Sequence, residues 1–286
     1  MPDTRIHRGP HPDDAALFAP ALLARLREAV ADFSLLLTKG YADKSALKLV
    51  GDHFSLTQRQ RLAVMRSSCS DPQLKSRLAR RVPIEALLGQ PIAIDGYNLL
   101  ITIEAALSGG LIFRGRDGCF RDLASIHGTY RKVEETIPAV QLIGEFLADI
   151  RAAKARIEGV GSQTRSTAFG VPVPPSNRGH DAPDTGTPSN RGQDARDTSV
   201  AETLWLLDRP VSNSGRLKTL IARIARENNW PWEIRLTISP DAELSRTDTI
   251  VVSTDSIILD ACPSWTNLAA EIITRCLPQT TAIDLA

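Results

Sequence analysis

Three short apolar runs in this sequence each lead into an aspartate. Ile92-Ala93-Ile94 runs into Asp95, Thr203-Leu204-Trp205-Leu206-Leu207 into Asp208, and Thr249-Ile250-Val251-Val252-Ser253 into Thr254-Asp255. Such runs, bounded by turn-forming residues, read as buried strands, and in open α/β sheets ligands bind beyond the carboxyl ends of the strands. Carboxylates that converge at such an edge repel one another unless protons or a cation neutralise them. An all-oxygen donor set suits hard ions, Mg²⁺ or Mn²⁺. Any one of these aspartates could simply cap the next helix or turn; their recurrence at three strand ends points to a site. Asp241 and Asp260 are further candidates, although a turn or surface role is the plainer reading of each.

Two further constellations fit a phosphate. Ser212-Asn213-Ser214-Gly215-Arg216 precedes an amphipathic stretch, and a helix opening on small polar residues exposes N–H groups that suit an anion. Arg216 would add a bidentate contact, although the same residues also make an ordinary helix cap. A polar loop carries His127 and Arg131 as general-acid or phosphate contacts. Residues 45–53 and 58–68 have the spacing of a helix-turn-helix, which would place Arg59 and Arg61 near the start of the second helix, against nucleic acid. A solvated basic face is the plainer account of those arginines.

These residues need a frame to position them. Residues 20–89 are helical in pattern, with Leu22, Leu26, Val30, Phe33 and Leu37 at helical spacing, Gly40 past the end of that helix and Thr57 as a cap. From residue 91 strand and helix signals alternate: a helix over 98–107, a hairpin around Arg116-Asp117-Gly118, a long helix over 137–157, and helices over 216–227 and 267–276, the last capped by Thr266. The expected architecture is α/β, a mostly parallel sheet flanked by helices over 90–286, preceded by an all-α region over 1–89. Residues 175–185 recur almost unchanged as 188–198, within a polar stretch at 159–199 that reads as a disordered insertion.

Overall charge is +1, which argues against a polycation, yet residues 39–81 hold ten Lys and Arg against three Asp. Four scattered cysteines without a CxxC pair argue against zinc and for buried thiols in a reducing compartment. With a polar stretch at 1–14 and no run long enough to span a bilayer, the expected location is cytoplasmic.

Asp95-Gly96-Tyr97-Asn98 resembles the first motif of the PIN-like nucleases, in particular the NYN branch, whose opening strand ends in Asp-Gly-x-Asn. Ser253-Thr254-Asp255 resembles the end of a later strand of that superfamily, and the strand ending at Asp208 an intermediate one. More widely, the chain resembles a prokaryotic family of hypothetical proteins that joins a helical N-terminal region to a PIN-like half. The resemblance implies a site in which Asp95 and Asp255 bind a divalent metal, Asp208 is a third acidic position, and Asn98 bonds a ligand carboxylate or a metal-bound water. Glu104, two and a half helical turns beyond Asp95, is a further acidic candidate, and Glu134, Glu135 and Glu145 offer acids from a later helix without a distinguishing motif. The implied activity is metal-dependent hydrolysis of nucleic acid, RNA first. The alternatives are a non-catalytic nucleic-acid-binding or regulatory protein on a degenerate PIN-like scaffold, and an enzyme acting on a small phosphorylated metabolite.

Overall fold

Along three apolar runs, Ile92, Ile94, Trp205, Leu207 and Val252 alternate with Ala93, Leu206 and Val251, and both sets are buried. A sheet buried on both faces must be covered by helices on both. The computed structural model describes residues 7–124, 130–163 and 203–286 and shows that arrangement. The chain opens with helices α1 (Asp14–Leu17), α2 (Pro20–Thr38), α3 (Asp43–His53), α4 (Gln58–Ser67) and α5 (Asp71–Arg80), followed by a single 3₁₀ turn. It continues as β1 (Ile92–Asp95), α6 (Gly96–Leu107), β2 (Ile112–Arg114), β3 (Phe120–Asp122), α7 (Thr136–Gln163), β4 (Thr203–Asp208), α8 (Ser214–Glu227) and β5 (Trp232–Thr237). The last elements are α9 (Pro240–Leu244), β6 (Ile250–Val252), α10 (Ser256–Ala261), β7 (Trp265–Thr266), α11 (Leu268–Cys276) and β8 (Ile283–Asp284).

Local sequence accounts for many of the boundaries. Thr57 with Gln60, and Ser70 with Gln73, form capping boxes that open α4 and α5. Gly40, at φ +82°, takes the left-handed conformation that lets the chain leave α2. One expected cap moves: Thr266 is still extended in β7, paired with Val252, and Asn267 opens α11 by accepting a bond from the Ala270 N–H. The repeat-bearing stretch expected as an insertion lies outside the described residues, apart from its first residues, which continue α7.

The main sheet runs β5-β4-β1-β6-β7, parallel throughout. The chain builds outward from β1 to β4 and β5, then returns to the opposite side of β1 for β6 and β7. The strand order therefore reverses between β1 and β6, the position where sheets of this kind open a crevice. One face packs Ile92, Ile94, Trp205 and Leu207 with residues of α6, α7, α8 and α11. The other packs Ala93, Leu206 and Val251 with Leu244, Ile258, Leu259 and Trp265. The hairpin expected around Asp117 is present, and β8 adds to it in parallel to make a separate small sheet, β3-β2-β8.

The N-terminal helices do not close a core by themselves. Leu26, Val30, Phe33, Val50 and Val64 share one apolar cluster with Phe113 and Leu123 of the hairpin and with Leu285. A polar contact reinforces this seam. Asp117, 2% exposed, accepts two bonds from Arg121 at 2.9 and 2.7 Å and one from Arg77 of α5 at 2.7 Å. Arg77 also reaches Asp260 at 2.7 Å, and Arg121 the Thr254 carbonyl at 2.8 Å. The two guanidinium groups hold the Asp117 carboxyl far below the usual carboxylate range, outweighing its burial. Among the described residues no helix is long and apolar enough to cross a membrane.

Removing Asp117 leaves two buried cations without their shared counter-charge. Asp117→Ala should therefore lose about 3–5 kcal/mol of stability, the range for breaking a buried ion pair from one side. Urea unfolding followed by tryptophan fluorescence checks this, and an unchanged midpoint would contradict it.

Candidate functional site

The parallel register sets the geometry of the sheet edge. Ile94 pairs with Val252 and Asp95 with Leu206, so Ser253 comes level with Asp95, while Asp208 ends β4 farther along and Asp255 lies past the end of β6. Asp95 is the N-cap of α6, and its Oδ1 accepts from the Asn98 N–H at 3.4 Å. Its Oδ2 accepts from the Ser253 hydroxyl at 2.9 Å, and Ser253 Oγ accepts from the Asp255 N–H at 3.0 Å. Asp255 in turn caps α10, taking the Ile257 N–H at 2.8 Å. Gly96 is required by close approach: a Cβ there would stand 2.8 Å from the Leu206 carbonyl oxygen. The Asp-Gly pair thus lets α6 start directly against β4.

The electrostatics mark this edge. The Asp95 carboxyl is pushed up to about 7, chiefly by burial and in part by Asp255 and Asp241, against the opposing bonds from Ser253 and Asn98. Asp208 is raised by partial burial and by Asp241, and Asp241 by partial burial and by Asp255. Four aspartates therefore share one field along the carboxyl ends of β1, β4, β5 and β6. Asp241, a further candidate that read more simply as a turn or surface residue, is the member outside the three strand ends. It lies on α9 after β5 rather than at the end of one of the three apolar runs. The four aspartates line this edge as an acidic arc, and among the described residues no three His, Cys, Asp or Glu side chains form a group able to hold a metal ion. Of the expected trio, Asp255 acts on Asp95, whereas the acidic neighbour that raises Asp208 is Asp241.

Asn98 is placed at this edge with its oxygen already engaged. Its Oδ1 accepts both the backbone N–H and the hydroxyl of Thr254 at 2.9 Å, which ties α6 to the loop after β6. A cleft of about 680 Å³ opens beside it, lined by Asn98, Asp255, Arg66, Arg121 and residues of the N-terminal helices.

Several expected contacts are used elsewhere. Glu104 is fully buried away from the arc, accepting from Tyr130 Oη at 2.5 Å, Thr136 Oγ1 at 2.6 Å and Arg8 Nε at 2.5 Å, and burial raises its pKa. It anchors the segments before α1 and α7 to α6. Ser214 is buried as well, its hydroxyl held between the Asp208 and Val211 carbonyls and 2.7 Å from Tyr97 Oη. Asn213 takes φ +73° and donates to the Tyr130 carbonyl, while Ser212 accepts from the Tyr130 N–H. Ser212, Gly215 and Arg216 of that loop are exposed, and the Ser212 and Arg216 side chains make no bond among the described residues. Arg59 is paired with buried Asp14, and Arg61 bonds Asp52 at 2.7 Å and the Leu56 carbonyl at 3.0 Å. The two arginines expected on a recognition helix thus lock α4 to α1 and to the α3–α4 turn. Arg131 borders a second cleft of about 890 Å³, and His127 lies outside the described residues.

Residues 84–158 and 191–271 match a family described as "Domain of unknown function (DUF5616)", and residues 25–80 match one described as "Protein of unknown function (DUF434)". All four aspartates of the arc and Asn98 fall within the first match, whose interruption at 159–190 coincides with the start of the repeat-bearing stretch. A curated relative, "Uncharacterized protein MJ0935" of Methanocaldococcus jannaschii, is 32% identical over 122 residues, which cover 43% of this chain and 59% of the relative. No solved structure matches the chain.

The raised Asp95 carboxyl gives a signed pH test. A group whose pKa rises on folding adds stability below its unfolded value, near 3.8, and loses that contribution as pH climbs through about 7. Asp95→Asn removes this dependence. Relative to wild type, the variant should gain stability as pH rises from acid to neutral, by up to roughly 4 kcal/mol without added metal. Thermal unfolding across that range tests the slope, and parallel curves for the two proteins would contradict it.

Proposed function

We propose, for a chain that belongs to the family described as "Domain of unknown function (DUF5616)", that it is a divalent-metal-dependent phosphodiesterase acting on nucleic acid, RNA first, on a PIN-like scaffold. The observation that carries this reading is the buried Asp95, raised to about 7 beside Asp255 and Asp241, at the point where the strand order reverses. A carboxylate is seldom kept in such surroundings for stability, since each neighbouring negative charge makes its ionisation more costly. A cation at the edge would reverse that cost.

The donor chemistry fits Mg²⁺ or Mn²⁺. These ions are commonly held by one or two carboxylates and keep their other positions for water and phosphate, which such an arc allows. Asp95 and Asp255 would hold the ion, with Asp241 at the rim and Asp208 as a more distant negative charge. A bound divalent ion lowers the pKa of its water and offsets charge developing on the phosphate. Ser253 fixes the rotamer of Asp95 while keeping Asp255 in register. Asn98 holds the Thr254 backbone, and its Nδ2 has no partner among the described residues, leaving a donor for a substrate oxygen.

A second reading has an observation in its favour. With no closed group of ligands among the described residues, the same edge suits a nucleic-acid-binding or regulatory protein that does not cut. Incubating single-stranded RNA and DNA with Mn²⁺ separates the two. Wild type should cleave RNA, and Asp95→Asn should lose at least about a hundredfold in rate, the scale for losing a group that acts on the transition state. Equal cleavage by both proteins, or binding without cleavage, would overturn the enzymatic reading.

A further inference from the structure

The cleft beside Asp255 differs in chemistry from the acidic arc. Three arginines line it, yet their guanidinium groups already donate to the protein: Arg66 to the carbonyls of Asp122 and Ala124, Arg77 to Asp117 and Asp260, Arg121 to Asp117 and Thr254. Asp43, Asp122 and Asp255 in the lining balance them in charge. The cleft therefore offers little grip to a phosphate. Part of its wall is apolar, with Phe33 and Leu37 of α2, Met65 of α4, Ile101 of α6 and Ile257 of α10. Near these stand hydrogen-bonding atoms without partners among the described residues: Asn98 Nδ2, Asp255 Oδ2 and Ser256 Oγ.

A charge-balanced slot with an apolar wall and a few unpartnered donors and acceptors matches a flat heteroaromatic ring that carries polar atoms on its edge. Its volume, about 680 Å³, lies within the range of small-molecule sites and accommodates a nucleoside. We infer that this cleft is a nucleobase pocket, which takes one unstacked base of a single-stranded nucleic acid while the adjoining phosphate lies at Asp255. Asp255 belongs to both places, so base and phosphate meet at one residue. A base inside a duplex stack cannot enter without being flipped out, and the pocket selects single strands for that reason. The N-terminal helices then act as the wall against which the base packs, through Leu37 and Met65, rather than as a recognition helix in a groove. The inference rests on the proposed nuclease reading for the position of the phosphate only.

Uncharged nucleosides test the pocket without the phosphate. Adenosine, guanosine, cytidine and uridine are titrated into the full-length protein by saturation-transfer NMR, with ribose as control. At least one nucleoside should bind through its base protons, and ribose should not. Met65→Glu and, separately, Ile257→Glu alter side chains that are 42% and 67% exposed, so the fold should tolerate both. Each should weaken nucleoside binding by about tenfold or more, the scale of losing a base-packing contact. Lys218→Ala, exposed on α8 and outside the cleft, should retain binding. Failure of all four nucleosides to bind, equal binding of ribose, or indifference to both wall variants would overturn the pocket. Nucleoside binding in a protein that cuts no strand would uphold the pocket and remove the nuclease reading, and cutting without nucleoside binding would do the reverse.

Discussion

Asp117 holds two guanidinium groups at the seam between the N-terminal helices and the α/β sheet, and much of the molecule's order runs through that contact. Arg77 brings α5 to it, and through Asp260 also to α10. Arg121 brings β3, and passes the constraint to the Thr254 carbonyl. Thr254 is held from its other side by Asn98 of α6. A chain of charge-assisted bonds therefore runs from the helical region to the loop that presents Asp255. In a low-dielectric interior such bonds are directional and stiff, and they hold as a set or fail as a set. The apolar cluster shared by α2, α4, the hairpin and Leu285 supplies area at the same seam, while the ion network supplies its geometry.

That rigidity allows the acidic arc to exist. The fold desolvates Asp95 and places Asp255 and Asp241 within reach of its field, arrangements that each disfavour ionisation. Relaxation by moving the loop would break the bonds at Thr254 and Ser253, so the carboxyl takes up a proton instead, with its pKa near neutrality. The proposed cation would take the place of that proton, which connects the packing to the proposed chemistry.

Much of this frame could be read from the residues. Apolar runs ending in Asp95, Asp208 and Asp255 marked three parallel strands, because strand burial and the following turn are local properties. The mostly parallel sheet and the preceding helices follow from the same periodicities. What escaped depends on partners remote in sequence. Nothing in the spacing of Arg59 and Arg61 distinguishes a solvated basic face from a paired one, and the partner of Arg59 is Asp14, far upstream on α1. Glu104 sits on the same helix as Asn98, yet its direction was decided by Arg8, Tyr130 and Thr136. Asp117 read as a turn residue in Arg116-Asp117-Gly118, which it is, and only the packing of α5 over that turn makes it the centre of an ion network. Strands β7 and β8 are too short to carry a periodic signal, and Asp241 entered the arc from a short helix instead of a strand end.

The central claim is that the arc is a cation site built around Asp95. Titrating Mn²⁺ calorimetrically into the wild-type protein, at a pH near the Asp95 pKa of about 7 and in buffers of differing ionisation enthalpy, tests it most directly. The account predicts one saturable site whose occupancy releases a fraction of a proton, with both binding and proton release lost in Asp95→Asn. Absence of saturable binding in the wild type, or binding that survives Asp95→Asn unchanged, would contradict it.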